Sequence, residues 1–167
     1  MEQDHHIAAE TARKYFRSAT QLVRLGWGIS GFVYLSPDAR TAVKVHYRQE
    51  SFERELQVYR RLNKLKIIKI QGLTVPKLRN ARRRIKLLQM DFVRPPYLLD
   101  FAGASFTPPD FSEETMKNWE EGIAEMFGRN AHIAYAVYNS LARLGIYYMD
   151  FRPSNMNLTG LLEASHD

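Results

Sequence analysis

The chain has 167 residues, enough for one domain with a core or for two small lobes, and a composition of 45% hydrophobic and 25% charged residues excludes extended disorder. A net charge of +6, from 24 Lys and Arg against 18 Asp and Glu, favours anionic partners such as nucleotides, nucleic acid or acidic surfaces. The absence of cysteine excludes disulfides and thiolate metal sites, and the lack of a signal-peptide pattern or an 18-residue apolar run predicts a cytoplasmic protein with no membrane partner.

The first half of the chain alternates between helical and strand patterns. A leading helix is predicted over residues 5–18. Three short runs rich in β-branched and aromatic residues follow and predict an antiparallel meander: QLVRLGWG, GFVYLS and TAVKVHY. Residues 50–65 then return to helical spacing, with an apolar side formed by Phe52, Leu56, Tyr59 and Leu62.

The second half begins with two further predicted strands, LTVPKL and RIKLLQMDFV, joined by a basic turn, RNARR. Pro95 and Pro96 then break the strand pattern. A helix with Ser112 as its N-cap is predicted next, and the helical pattern continues, with an interruption near residues 128–130, as far as Gly145. The coarse order is therefore helix, three strands, helix, two strands, a break, helices and a loop.

The hairpin between the first two strands has the pattern G-x-G-x-x-G-x-V, formed by Gly26, Gly28, Gly31 and Val33. In a dinucleotide-binding fold such glycines open a helix, whereas here a strand follows them, so the pattern does not indicate that fold. Two interpretations are left. The segment is either a loose turn or a glycine-rich hairpin over nucleotide phosphates, where missing side chains let backbone N–H groups approach oxygen atoms.

A phosphate-binding hairpin needs a fixed cation, and Lys44 in the third strand is placed to supply one. Strand alternation puts Ala42 and Lys44 on one face, so Lys44 points into a cleft if Val43 and Val45 face the core. The following helix offers three carboxylates to hold the amine. We favour Glu55, at the edge of the apolar stripe, over its neighbours Glu50 and Glu53, with Glu53 as the second choice.

The segment YYMDFRPSNMNL places an acid, a base and an amide within six positions. In phosphoryl transfer, Asp150 would position or deprotonate an attacking hydroxyl, and Arg152 would stabilise charge on the transferring group. Asn155 would bind Mg²⁺ through its amide oxygen, and Pro153 would stiffen the loop. By itself D-x-x-x-x-N is also typical of a capped turn, but together with the hairpin and the lysine it indicates phosphoryl transfer.

These motifs resemble the protein-kinase-like superfamily, and in particular its small, divergent bacterial members. The resemblance runs over residues 22–158 and rests on GWGISGFV, TAVKV, FERELQVYRRL and YYMDFRPSNMNL. It implies a two-lobed α+β fold. The first lobe, residues 1–93, would hold five antiparallel strands and one helix after the leading helix, and residues 94–167 would form a truncated helical lobe with the catalytic loop 148–155.

The resemblance also implies roles for single residues. Lys44, paired with Glu55, would orient the α- and β-phosphates of ATP. Ala42 would line the adenine pocket, and backbone groups of Asp91 to Val93 would contact the base.

The chain departs from the superfamily pattern in two places. Tyr148 and Met149 stand where His-Arg usually precedes the catalytic aspartate, so sensing of a phosphorylated activation segment is not expected. No Asp-Phe-Gly follows Asn155, so the second metal-binding acid is either missing or is Asp167. Three forms fit this pattern: a minimal kinase, a fragment of a longer kinase, and a pseudokinase.

The predicted function is therefore ATP- and Mg²⁺-dependent transfer of the γ-phosphoryl group to a hydroxyl acceptor, with protein Ser/Thr favoured. The alternative is a pseudokinase that acts as a nucleotide-binding or scaffold module and contacts RNA or acidic partners through the basic segment RNARRRIK. Nucleic acid is the less favoured partner, and a homodimer is left open. The five histidines, including His46, show no metal-ligand spacing and are treated as ordinary residues.

Overall fold

The computed structural model describes residues 2–161 and divides into two compact units. Unit 1 comprises residues 2–66 and 76–92, and unit 2 comprises residues 67–75 and 93–161. The helices are α1 (Glu2–Tyr15), α2 (Gln49–Lys64), α3 (Glu113–Phe127) and α4 (Ala131–Arg143). The strands are β1 (Arg24–Trp27), β2 (Gly31–Leu35), β3 (Thr41–His46), β4 (Lys69–Ile70), β5 (Leu73–Thr74), β6 (Leu78–Arg82), β7 (Leu87–Asp91), β8 (Tyr97–Leu98) and β9 (Met156–Asn157). The predicted α+β class is confirmed.

Unit 1 is built around the predicted five-stranded antiparallel sheet, in the order β1-β2-β3-β7-β6. The first three strands form the predicted meander. Its second turn is closed by polar groups: the Ser36 hydroxyl donates to the Asp38 carboxylate at 2.6 Å, and the same oxygen accepts from the Arg40 amide at 3.1 Å. This is the turn chemistry that Asp commonly supplies.

Helix α1 covers one face of this sheet. Ala8 and Ala12 are small enough to let the helix approach the strands closely, and both are buried. Val43 and Val45 face this helix, as alternation predicts. The cluster also contains Phe32, Tyr34 and Leu87.

Helix α2 packs against β3, β6 and β7. Its predicted apolar side is fully buried, since Phe52, Leu56, Tyr59 and Leu62 are at most 1% exposed. Arg61 and Lys64 lie in its last turn, where a positive charge is favoured by the helix dipole.

Three sequence-based boundaries differ from the structure. The leading helix spans Glu2–Tyr15 rather than residues 5–18. LTVPKL is not one strand, because Leu73 and Thr74 pair with unit 2 strands and β6 begins only at Leu78. RNARR is largely strand β6, and the turn that follows is a short 3₁₀ segment, Arg83–Ile85, ended by Lys86 at a φ of 49°.

Unit 2 contains a second sheet that the sequence did not predict. Its order is β4-β5-β8-β9, with β5 and β8 parallel and the other pairs antiparallel. The strands have two residues each, too few to show a hydrophobic period. Because β4 and β5 pair within this sheet, residues 67–75 belong to unit 2, whereas the predicted first lobe covered residues 1–93.

The helices of unit 2 follow the sequence pattern. The Ser112 hydroxyl caps α3 by accepting from the Thr115 amide at 3.2 Å. A short 3₁₀ segment at residues 128–130 separates α3 from α4, and Gly145, with a φ of 73°, follows the end of α4. Within residues 2–161, no helix is long and apolar enough to cross a membrane.

The glycines of the hairpin are expected to tolerate substitution differently. A Cβ on Gly31 would collide with the carbonyl oxygen of Val45 on the neighbouring strand, whereas one on Gly26 meets no atom of the described chain within 4 Å. Gly31→Ala should therefore lower the free energy of unfolding by about 1–3 kcal/mol. Gly26→Ala is the control, with an expected change within about 0.5 kcal/mol. Urea unfolding of both variants tests this, and equal effects would contradict the packing described here.

Candidate functional site

A row of paired residues across the unit 1 sheet places the predicted nucleotide-binding residues side by side. Gly26 on β1 pairs with Val33 on β2, and Val33 pairs with Lys44 on β3. Directly opposed residues of antiparallel strands share a face, so Val33 and Lys44 lie on the same side of the sheet. Ala42, two residues before Lys44, shares that face. It is the face opposite the one that α1 covers.

Gly26 and Gly28 are not required by packing or by backbone strain. Around both positions, space is open within 4 Å of where a Cβ would stand, as far as the described residues extend. Neither has the positive φ that favours glycine. Trp27 and Ile29 beside them are 63% and 92% exposed, whereas Phe32 is buried, so the tip of the hairpin is an open surface.

Lys44 is a buried cation with a buried acidic partner. Its side chain is 5% exposed, and the Nζ atom lies 2.8 Å from Oε2 of Glu55, whose side chain is 1% exposed. Glu55 sits at the edge of the apolar stripe of α2, the position favoured by the helix pattern, while Glu53 is half-buried and pairs with Arg83 at 3.3 Å. Burying a charged amine is costly unless it is paired in this way.

His46 completes this cluster, and sequence reasoning missed it. The ring Nε2 lies 2.6 Å from Oε2 of Glu55, and Nδ1 lies 3.2 Å from the Lys86 carbonyl oxygen. The ring therefore lies between the carboxylate on α2 and the backbone at the start of β7, the strand next to β3. The available signal was its spacing, since His46 is two residues after Lys44 on one strand and therefore shares its face.

The surroundings of Glu55 favour its charged form. Burial by itself would raise the pKa of this carboxyl, but the positive charge of Lys44, the hydrogen bond from His46 and the charge of His46 outweigh it and lower the pKa to about 2. Glu55 is therefore ionised throughout the physiological range, and it holds the Lys44 ammonium and the His46 ring in fixed positions.

The segment predicted to meet adenine is partly engaged within unit 1. Ala42 is buried on the Lys44 face. The amides of Asp91 and Phe92 donate to the carbonyl oxygens of Lys77 and Arg40, both at 2.9–3.0 Å. The Asp91 carboxylate is held by Arg79 at 2.6 and 2.9 Å. Two backbone amides of the segment expected to contact adenine are therefore already hydrogen-bonded within unit 1.

The loop that contains Asp150 lies in unit 2, between α4 and β9. Asp150 is half-buried and Arg152 is exposed, and the Arg152 Nε donates to Asp150 Oδ1 at 2.9 Å. The Phe151 side chain is buried between Tyr148 and Trp119. An apolar residue therefore anchors the loop while its neighbours on both sides present polar groups.

The side chains of Asn155 and Tyr148 hold this loop in place through hydrogen bonds to its backbone. The Asn155 Nδ2 atom donates to the Tyr148 hydroxyl at 3.2 Å and to the Asp150 carbonyl oxygen at 3.1 Å. The Tyr148 hydroxyl in turn donates to the same carbonyl at 2.8 Å, and the Trp119 indole donates to the Met149 carbonyl at 2.9 Å. Tyr148 and Met149, which depart from the usual His-Arg, thus connect the loop to the core of unit 2.

The fit of a magnesium ion depends on few oxygen atoms. With Nδ2 of Asn155 engaged in the loop, its Oδ1 accepts only a long contact of 3.5 Å from Ser154 and is the oxygen left to a cation. Across residues 2–161, no group of three or more His, Asp or Glu side chains could hold a metal. Mg²⁺ commonly uses one or two protein ligands together with substrate phosphates, and Asn155 fits that use. Asp167, the other predicted ligand, lies outside the described residues.

Comparisons with known proteins give similarity in fold. No protein-family model matches the chain, and no curated protein matches it. Among solved structures, it is similar to the streptomycin–ATP–APH(2")-IIa ternary complex, with 18% identity and a TM-score of 0.38 over 72% of this chain and 40% of that one. It is also similar to the gentamicin–APH(2")-IIa complex, with 18% identity and a TM-score of 0.39 over 71% and 38%. The chain thus spans about 40% of the length of the chains in these two structures.

The low pKa of Glu55 leads to a test at acidic pH. A carboxyl whose folded-state pKa lies below its unfolded value stabilises the fold above the unfolded value, about 4.5, and loses that contribution as the pH falls towards about 2. Glu55→Gln should lower the free energy of unfolding by about 3–5 kcal/mol at pH 7, because Lys44 loses its buried partner. The difference from the unmodified protein should shrink between pH 4.5 and 2.

Glu53→Gln is the matched control for this experiment. Its partner Arg83 is 58% exposed, and such a pair contributes at most about 1 kcal/mol. Urea unfolding of both variants across the pH range checks the prediction. A Glu55→Gln effect as small as the Glu53→Gln effect, or one that does not change with pH, would contradict it.

Proposed function

We propose that this chain is a phosphotransferase that passes the γ-phosphoryl group of ATP to a hydroxyl, with Mg²⁺ as the cofactor. The observation that carries the proposal is the buried Lys44 ammonium, fixed by Glu55 in the same row as Gly26. An ion pair with a purely structural role does not require a glycine-rich hairpin next to it. A cation that binds phosphate does require one, because the nucleotide must come close to the hairpin backbone.

Unit 1 would bind the nucleotide. Lys44 would orient the α- and β-phosphates, and its attraction for them is strengthened because the amine is shielded from water. Because Gly26 and Gly28 have no side chains, their backbone N–H groups could approach phosphate oxygens closely. Val33 and Ala42, on the same face as Lys44, would pack against adenine, and backbone groups of Asp91 to Val93 would contact its polar edge.

The Asp150 loop would handle the acceptor. The acceptor hydroxyl would donate to Asp150 and pass its proton to that carboxylate while the acceptor oxygen bonds to the γ-phosphorus and the bond to the leaving ADP oxygen breaks. Arg152 now pairs with Asp150 but is 61% exposed, so its side chain is free enough to turn towards the charge on the transferring group. Both residues are positioned by a loop braced through Tyr148 and Asn155.

Asn155 would hold Mg²⁺ through Oδ1 together with the phosphates, and Asp167 is the proposed second protein ligand. When bound, the ion supplies positive charge against the phosphate oxygens. The Asn155 amide nitrogen, engaged with Tyr148 and Asp150, would keep Oδ1 turned outward.

Two classes of acceptor carry a suitable hydroxyl. By the resemblance, a basic residue two places after Asp150 is the arrangement of serine/threonine-type and small-molecule kinases rather than of tyrosine kinases, and a protein Ser or Thr is the first acceptor proposed. The aminoglycosides streptomycin and gentamicin, named with the similar structures, are the small-molecule class to be tested beside it. Radiolabelled ATP offered with a mixed protein substrate or with either aminoglycoside distinguishes these acceptors.

Two variants should separate nucleotide binding from transfer. Asp150→Asn should keep the thermal stabilisation by Mg·ATP, which mass action puts at about 2.7 kcal/mol for ATP at one hundred times its Kd, but should lose transfer. Lys44→Met combined with Glu55→Gln should lose both. The double change is used because it removes both members of the buried Lys44–Glu55 pair together, rather than leaving one of them without the other.

Thermal unfolding with and without Mg·ATP, followed by the transfer assay, gives both results from one set of proteins. Undiminished transfer by either variant would overturn the assigned roles. Stabilisation by ATP with no transfer to any acceptor would contradict the enzymatic function and point to the pseudokinase alternative.

A further inference from the structure

A second surface of unit 1 forms an arginine-lined groove, which we call the arginine groove. It has a volume of about 490 Å³ and lies where β6, the turn after it, α1 and α2 meet. Its lining is formed by four arginines and three less polar residues: Arg60, Arg82, Arg83, Arg84, Tyr15, Ala81 and Ile85. None of these lining residues is among the proposed nucleotide-binding residues described above.

The groove has more positive charge than its surroundings neutralise. Arg83 pairs with Glu53, but among residues 2–161 no acid lies within ion-pair distance of Arg60, Arg82 or Arg84. Three guanidinium groups in one groove repel each other unless an anion joins them. Since each offers a planar set of N–H donors, phosphate oxygens suit them well.

The charge of the whole unit extends this surface. Unit 1 contains 18 Lys and Arg against eight Asp and Glu, a net charge of +10, whereas the whole chain has +6, so the rest of the chain is net acidic. Along α2, the exposed residue Lys64 lies four positions after Arg60 and therefore on the same side of the helix. A surface with this surplus of positive charge suits a polymer that carries a negative charge on every unit.

We propose that the arginine groove binds single-stranded nucleic acid through its phosphates. An acidic peptide would also complement the charge, but a positively charged groove with an aromatic side chain beside it is typical of single-strand binding, where bases stack on the ring beside the phosphate contacts. Tyr15 supplies the ring, next to the apolar side chains of Ala81 and Ile85, and Ile85 is 39% exposed. This activity is independent of the proposed phosphotransferase function.

The test compares the full chain with two variants of equal charge. Arg82→Gln with Arg84→Gln removes two groove arginines. Arg24→Gln with Arg40→Gln removes two arginines outside it, on the opposite edge strand β1 and in the turn between β2 and β3. Fluorescence anisotropy measures binding to labelled U12 RNA, labelled dT12 DNA and labelled polyglutamate over a range of salt concentrations, and thermal unfolding shows whether each variant is folded.

The proposal predicts that the groove variant binds the oligonucleotides at least ten-fold more weakly and that its salt slope falls by about 1.4, since each single-strand phosphate contact contributes about 0.7. The control variant should change affinity less than three-fold. If only the RNA or only the DNA binds, that result identifies which kind of single strand the groove accepts. No binding, equal weakening in both variants, or polyglutamate binding as tight as U12 would overturn the proposal.

Discussion

The burial of one lysine amine is the constraint on which unit 1 depends. The Lys44 side chain is 5% exposed and its charge needs an acidic partner, while the Glu55 side chain is 1% exposed and its charge needs hydrogen-bond donors. Glu55 contacts both Lys44 and His46 through one oxygen, and the buried apolar side of α2 holds that carboxylate against β3. The helix, the strand and these three side chains therefore stabilise one another.

The glycines of the hairpin motif are under different structural constraints. Gly31 is needed by the fold, because β2 and β3 approach too closely for a Cβ at that position. Gly26 and Gly28 are under no such constraint within the described structure, and the proposed approach of nucleotide phosphates would give these two glycines a role. In unit 2, the residues of the Asp150 loop also differ in whether they hold the backbone or leave a polar group accessible. Phe151, Tyr148 and the Asn155 amide nitrogen secure the backbone, while the Asp150 carboxylate stays half-exposed.

Much of this arrangement could be predicted from the sequence, because it rests on periodicity. Alternation in TAVKV separated Lys44 from the core valines, and helical spacing singled out Glu55. Two features could not be predicted. The two-residue strands of unit 2 are set by tertiary pairing rather than by a local pattern, which is why residues 67–75 were placed in the wrong lobe. The bond from His46 to Glu55 joins residues nine apart on different elements, and no spacing rule connects them.

The most direct test of the account is the affinity of the chain for ATP compared with adenosine, measured by calorimetry in the presence of Mg²⁺. If the buried ammonium binds phosphate, ATP should bind at least about 100-fold more tightly than adenosine, a difference of about 2.7 kcal/mol. In the protein with Lys44→Met and Glu55→Gln combined, that advantage should disappear while adenosine binds as before. Equal affinities for the two ligands in the unmodified protein, or an advantage for ATP that survives the double change, would contradict the account.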